Sequence, residues 1–135
     1  MKDKVFFDSN LWIYAYSKTD KSPTVIELID QHFDNTIISS QVLSECFNVL
    51  TRKKLKNAEQ AQQIIEDIAT FSQVADISKH SVAYAIRIHL KYKYAYYDSL
   101  IIASALENHC VILYSEDMQH QQMIDSQLKI INPFV

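Results

Sequence analysis

Glycine is absent from all 135 residues of the chain, and proline and cysteine occur only twice each. Without glycine, no loop has the bare backbone needed to close its N–H groups on a phosphate. Dinucleotide fingerprints and P-loops are therefore missing, and nucleotide-cofactor enzymes of those types are excluded. Turns must rely on Asn, Asp, Ser and the two prolines, as at Asp34-Asn35 and Asn132-Pro133. Cys46 and Cys110 stand far apart, with no CxxC or HxxxH partner near either. They read as buried, reduced thiols of a cytoplasmic protein rather than as zinc ligands. Long apolar runs are lacking as well. None approaches the ~20 residues of a membrane span, and Asp3 and Lys4 precede the first short one, so neither a transmembrane segment nor a signal peptide is expected.

What is present suits one globular unit. A chain of this length with 48% hydrophobic residues can bury about two-thirds of its unfolded surface, and it is too short for two ordinary domains. Residues 1–135 are therefore expected to form a single domain. The net charge of -3 argues at first against a nucleic-acid partner, which calls for a basic footprint. Four acids reserved for metal ions would change the sign: 13 cations would then face 12 remaining acids, a balance of +1.

Short apolar segments alternate with helical patterns. Val5-Phe6-Phe7 reads as a strand, followed by a helix over about Leu11–Tyr16. Ser22-Pro23 opens a second helix carrying Val25, Ile26, Leu28 and Ile29. Thr36–Ser39 reads as the next strand, and Ser40 as the cap of a helix over about Gln41–Lys53. Asn57 caps a helix with Ala61, Ile64, Ile65 and Ile68 at 3-4 spacing. A weak strand near Val74–Ile77, a helix over Ser81–Lys91, an almost wholly apolar helix over Asp98–Asn108, and strands at Val111–Tyr114 and Leu128–Ile131 complete the chain. Nearly all-apolar strands alternating with helices predict a three-layer α/β/α sandwich around a mainly parallel sheet of about five strands.

In such a sheet, residues just past the carboxyl ends of the strands collect along one edge. Asp8 follows the first strand directly, and Asp117 follows the Val111–Tyr114 strand by three residues. Glu45 lies in the first turns of the helix after the second strand. At 100° per residue it sits about 40° from Val49, on the border of an apolar stripe, where a side chain is partly buried yet faces a cleft. Asp98 opens the apolar helix, which must be central. Taken singly, each acid has a plain explanation as a helix cap or a solvated surface residue. Taken together, four carboxylates at one edge repel one another unless divalent cations compensate. Mg²⁺ and Mn²⁺ take hard oxygen ligands, bridge to phosphates, activate water and stabilise a leaving oxygen. Phosphodiester hydrolysis is the chemistry that follows, with Asn10 and Ser115 orienting ligands or waters.

Four motifs in order resemble the PIN-domain nucleases, and among them the VapC-type ribonuclease toxins of bacterial toxin-antitoxin pairs: Phe7-Asp8-Ser9-Asn10, Ser40-Gln41-Val42-Leu43-Ser44-Glu45, Tyr97-Asp98-Ser99-Leu100-Ile101-Ile102-Ala103-Ser104-Ala105 and Leu113-Tyr114-Ser115-Glu116-Asp117-Met118. The resemblance implies a parallel α/β/α sandwich and a Mg²⁺- or Mn²⁺-dependent endoribonuclease. Its acidic residues fall on Asp8, Glu45, Asp98 and Asp117, and its accompanying polar positions on Asn10 and Ser115. It also implies an RNA substrate, a small antitoxin partner that covers the acidic cleft, and a homodimer. The pattern departs at Gln119-His120-Gln121-Gln122, where related sequences often carry a glycine. The sequence leaves open whether Glu116 or His120 joins the site, although the Ser-x-Asp spacing favours Asp117.

Arg52, Lys53, Lys54 and Lys56 follow the helix bearing Glu45. They read equally as phosphate contacts and as cations complementing a helix dipole. The tyrosine-lysine alternation of Lys91–Tyr97 resembles a base-stacking surface, though buried or interface tyrosines are the commoner outcome. Two other functions stand beside the nuclease. One is a non-catalytic RNA-binding or scaffold domain of the same fold, against which the presence of all four acids counts. The other is an aspartyl-nucleophile phosphatase, which needs Asp-x-Asp where this chain has Asn10.

Overall fold

The strands are short, two to four residues each. β1 (Val5–Phe7) is buried at every position, as is β2 (Thr36–Ser39). β3 (Gln73–Ala75), β4 (Ile112–Tyr114), β5 (Met123–Ile124) and β6 (Leu128–Ile131) complete the sheet in the computed structural model, which describes residues 2–135. The order is β3-β2-β1-β4-β6-β5, with every pairing parallel except β5 with β6.

Six helices connect these strands: α1 (Ser9–Ala15), α2 (Ser22–Gln31), α3 (Ser40–Arg52), α4 (Ala58–Phe71), α5 (Lys79–Tyr92) and α6 (Tyr96–Glu107). The chain steps from β1 to β2 to β3 in one direction through α1–α4. It then returns across the sheet to β4 through α5 and α6. Right-handed crossovers in opposite directions put these two groups on opposite faces, which makes the three layers of the sandwich. α1 packs on α2 and α3, α3 packs on α4, and α5 lies along α6. In α6, every residue from Ser99 to Leu106 is buried, so it has no solvated face.

The sheet has six strands where about five were expected, because the two-residue β5 is too short to leave a pattern. Several boundaries also differ. Ser40 is the first residue of α3 rather than its cap, a position taken by Ser39, and its hydroxyl instead accepts from Ile77 N at 3.3 Å. α5 begins earlier than expected because Ser78 and Ser81 form a capping box, which makes Ser81 the third helical residue. Asn57 caps α4 as read from the sequence, in a capping box with Gln60.

With no glycine available, Lys54, Lys93, His109, Gln121, Asp125 and Ser126 adopt positive φ. Gln121 (φ 68°) lies in the segment where the motif departs from its relatives, and it takes the left-handed conformation that favours glycine. Its N–H donates to Ile130 O at 2.7 Å, which ties that turn to β6. Cys46 and Cys110 are free and buried. No helix among the described residues is long and apolar enough to cross a membrane.

Candidate active site

β1 and β4 are neighbours, and the strand order runs outward from them in opposite directions. Their carboxyl ends therefore mark the switch point at which an open α/β sheet leaves a crevice. Asp8 N donates to Tyr114 O at 3.0 Å, which extends this pairing to the sheet edge and fixes Asp8 at the floor of the crevice. Asp8 is only 5% exposed. It caps α1, with Oδ1 accepting from Ser9 N at 2.7 Å, while Oδ2 accepts from Ser115 Oγ at 2.9 Å. Its plain role as a cap and its place in an acidic site thus coexist.

Glu45 approaches Asp8 from the second turn of α3. Ser9 Oγ stands 3.3 Å from Asp8 Oδ1 and 3.2 Å from Glu45 Oε1, so one hydroxyl proton serves two carboxylates. Gln41, one turn earlier, donates from Nε2 to Glu45 Oε2 at 3.3 Å and to Tyr97 O at 3.0 Å, tying α3 to the start of α6. Asp98 is the third residue of α6 and does not cap it; Ala95 occupies the cap position without a side-chain bond. Asp117 is exposed at the mouth. Its Oδ2 accepts from Asn10 Nδ2 at 2.5 Å, and its N–H donates to Ser115 Oγ at 3.3 Å.

The electrostatics follow from this gathering. Burial pushes the Asp8 carboxyl from its ordinary 3.8 up to about 6; the bonds from Ser115 and Ser9 oppose the rise, and the charges of Glu45 and Asp98 add to it. Glu45 is raised by burial and by Asp98, and Asp98 by burial and by Asp117. Repulsion thus runs from floor to mouth through all four acids. All of their donor atoms are hard oxygens, the chemistry that Mg²⁺ and Mn²⁺ select. As the side chains stand, no three His, Cys, Asp or Glu residues among those described converge into a ready ligand set.

Glu116 points elsewhere. It accepts from Tyr14 Oη at 2.6 Å and pairs with Lys21, whose ammonium also lies over the Tyr14 and Phe134 rings. Burial would raise its pKa, but the bonds from Lys21 and Tyr14 prevail and lower it. His120 also stays out of the crevice, with Nδ1 accepting from Asn132 N at 2.9 Å. Cys46 lies beneath the site, its thiol 3.6 Å from Ser9 O, and burial pushes its pKa well up, so it is inert. Arg52 is exposed at the last position of Glu45's helix, Lys53 and Lys54 are exposed just past it, and Lys56 is half-buried. Ser9 and Gln41 were not selected from sequence. Gln41 had one usable signal, its position four residues before Glu45 on the same helix face.

The architecture is thus an α/β/α sandwich with an acidic crevice at the switch point of a parallel sheet. The PIN domain family model matches residues 5–124, and the chain belongs to that family. Among solved structures, it is similar to a toxin-antitoxin complex from Klebsiella pneumoniae, at 16% identity and TM-score 0.74 over 96% of this chain and 98% of that one. It is also similar to the Mycobacterium tuberculosis VapC20 toxin, described as cleaving the sarcin-ricin loop, at 16% identity and TM-score 0.69 over 82% and 87% of the two chains. A third likeness is to DNA-bound VapBC from Salmonella typhimurium, at 17% identity and TM-score 0.71 over 96% and 97%. At these identities the likeness is one of fold. No curated protein matches the chain significantly.

Proposed function

We propose that the protein is a single-domain endoribonuclease that uses Mg²⁺ or Mn²⁺ to hydrolyse RNA phosphodiester bonds. The observation that carries this reading is the buried Asp8 carboxylate, raised to about 6 among Glu45 and Asp98 in a PIN-family chain. A buried cluster of like charges is costly unless a cation is its partner. Asp8, Glu45, Asp98 and Asp117 would hold the ion. When bound, such an ion supplies activated water and charge for the leaving oxygen.

The protein's own groups do the positioning. Ser115 and Ser9 lock the Asp8 rotamer, Ser9 also steadies Glu45, and Asn10 aims Asp117. Purified protein is expected to cut a mixed RNA pool with Mn²⁺ and to stop in chelator. If no RNA is cut under any divalent cation, the non-catalytic RNA-binding reading takes its place.

The reading extends to a cytoplasmic toxin held by a small antitoxin, supported by fold likeness to chains from toxin-antitoxin complexes and by two free thiols. A homodimer is supported by α5, where Val82, Ile86 and Leu90 recur every four residues, all exposed. A monomeric mass in sedimentation would contradict that part.

Arg52, Lys53, Lys54 and Lys56 join no ion pair among the described residues, which leaves them available to phosphates. Replacing them with Ala is expected to weaken RNA binding and to lower the salt slope by about 0.7 per lost phosphate contact on a single strand. An unchanged slope would return them to the role of dipole partners.

A further inference from the structure

The run Lys91–Tyr97 alternates cations with tyrosines, and the fold divides its tyrosines between two uses. Tyr92 Oη donates to Asp125 Oδ1 at 2.8 Å and accepts from Asp125 N, while Tyr94 Oη bonds Gln122 and accepts from Gln119 N at 3.0 Å. Both rings are half-buried braces for the segment that carries β5. Tyr97 is different: it is 66% exposed, on the first turn of α6, immediately before Asp98. It lines an open groove of about 570 Å³ together with Ser44, Glu45 and Asn48 of α3 and the apolar Ile77 and Leu100.

We propose that this groove seats one unpaired nucleobase of the RNA strand, stacked on Tyr97 beside the phosphate addressed by the carboxylates. The proposal rests on the nuclease reading and names how that site takes its substrate. Continuity is the first argument, because Glu45 belongs to both the groove and the acidic crevice, and Tyr97 adjoins Asp98 in the chain. Charge is the second. Glu45 lines the groove and no Lys or Arg does, so a phosphate would meet a carboxylate and no cation there. A neutral planar base suits an aromatic wall with aliphatic neighbours, and base-aromatic stacking is tolerant of sequence.

Geometry supplies two further arguments. Gln41 ties α3 to α6 by bonding both Glu45 and the Tyr97 carbonyl, so the groove is formed before the ligand arrives. Ser44, Asn48 and Arg52 recur every four residues along α3. A strand leaving the groove along that face reaches the cation about 12 Å from Ser44. Ser44 and Asn48 are both exposed and offer donors and acceptors to a base edge. A duplex keeps its bases stacked inside and has none to give.

The test is affinity for a short fluorescein-labelled single-stranded RNA, measured in chelator so that cleavage plays no part, with a duplex of the same sequence beside it. Tyr97→Ala is expected to weaken single-strand binding about tenfold or more, Tyr97→Phe to retain it, and duplex affinity to be equal in wild type and Tyr97→Ala. No single-strand binding by the wild type, an unchanged affinity in Tyr97→Ala, or an equal loss for the duplex would overturn the proposal. So would conversion of a dimer to a monomer by Tyr97→Ala in sedimentation, which would assign this wall to a second copy of the chain. A protein that binds single strands through Tyr97 yet cuts no RNA with Mn²⁺ would sink the nuclease reading and leave the groove assignment standing.

Discussion

Asp8→Asn is expected to fold, to melt higher than the wild type at neutral pH in chelator, and to lose at least about a hundredfold of RNA cleavage. The fold survives because the amide fits the existing bonds. Its Oδ1 still accepts from Ser9 N, and its NH₂, in the place of Oδ2, donates to Ser115 Oγ once that hydroxyl turns. Stability rises because a buried charge is removed. The folded carboxyl holds its proton up to about 6 against an ordinary 3.8, so the folded state binds the proton more tightly than the unfolded chain does. The contribution is therefore fully present below about pH 4 and is lost as pH rises through 6. By pH 7 the wild type has given up about 3 kcal/mol, on the order of 10 °C in Tm for a chain of this size.

Asp8→Asn removes that pH dependence. Cleavage falls because losing even the partners of a metal ligand costs 10–100-fold, and losing the ligand costs at least as much. A variant that melts below the wild type at pH 7 would make Asp8 a structural cap alone. One that cleaves normally would remove it from the chemistry.

Mn²⁺ is expected to raise the Tm of the wild type at neutral pH by on the order of 10 °C when present at about a hundred times its Kd, a gain of about 2.7 kcal/mol. The cause is the same set of charges. Burial and mutual repulsion raise Asp8, Glu45 and Asp98 together, and a divalent cation relieves all three. The rise should shrink as pH falls through 6, where a proton on Asp8 competes with the ion. It should also shrink in Asp98→Asn. Glu116→Gln should lower the starting Tm and leave the increment unchanged, because Glu116 is committed to Lys21 and Tyr14. The same increment in Asp8→Asn, or none in the wild type, would refute a cation site in this crevice.

Much of the fold was legible because its strands are apolar at nearly every position, a pattern that only a sheet covered on both faces leaves. β5 was not, since two residues carry no period, and its antiparallel pairing depends on the turn at Asp125 and Ser126, both with positive φ. In a chain without glycine, nothing local marks which residues will take that conformation. The start of α5 shifted because two serines three apart form one capping box, in which either reads as the cap from sequence alone.

At the site, chain order and strand ends were enough to point to the acids. Their supporting groups were less visible. Ser9 matters because α1 and α3 bring Asp8 and Glu45 to one hydroxyl, and no spacing rule encodes that meeting. The tyrosines near Asp98 looked equivalent in sequence and separate only once the turn after β5 holds Tyr92 and the loop before β5 holds Tyr94, while Tyr97 stays exposed.

The proposed function requires the crevice to cut RNA through carboxylates acting as anions around a divalent cation. The decisive experiment maps new 5′ ends in total cellular RNA exposed to the purified protein with and without chelator, beside Asp8→Asn. Discrete new ends are expected with wild type and Mn²⁺, and none with chelator or with folded Asp8→Asn. The same ends from Asp8→Asn, or in chelator, would contradict the proposed function.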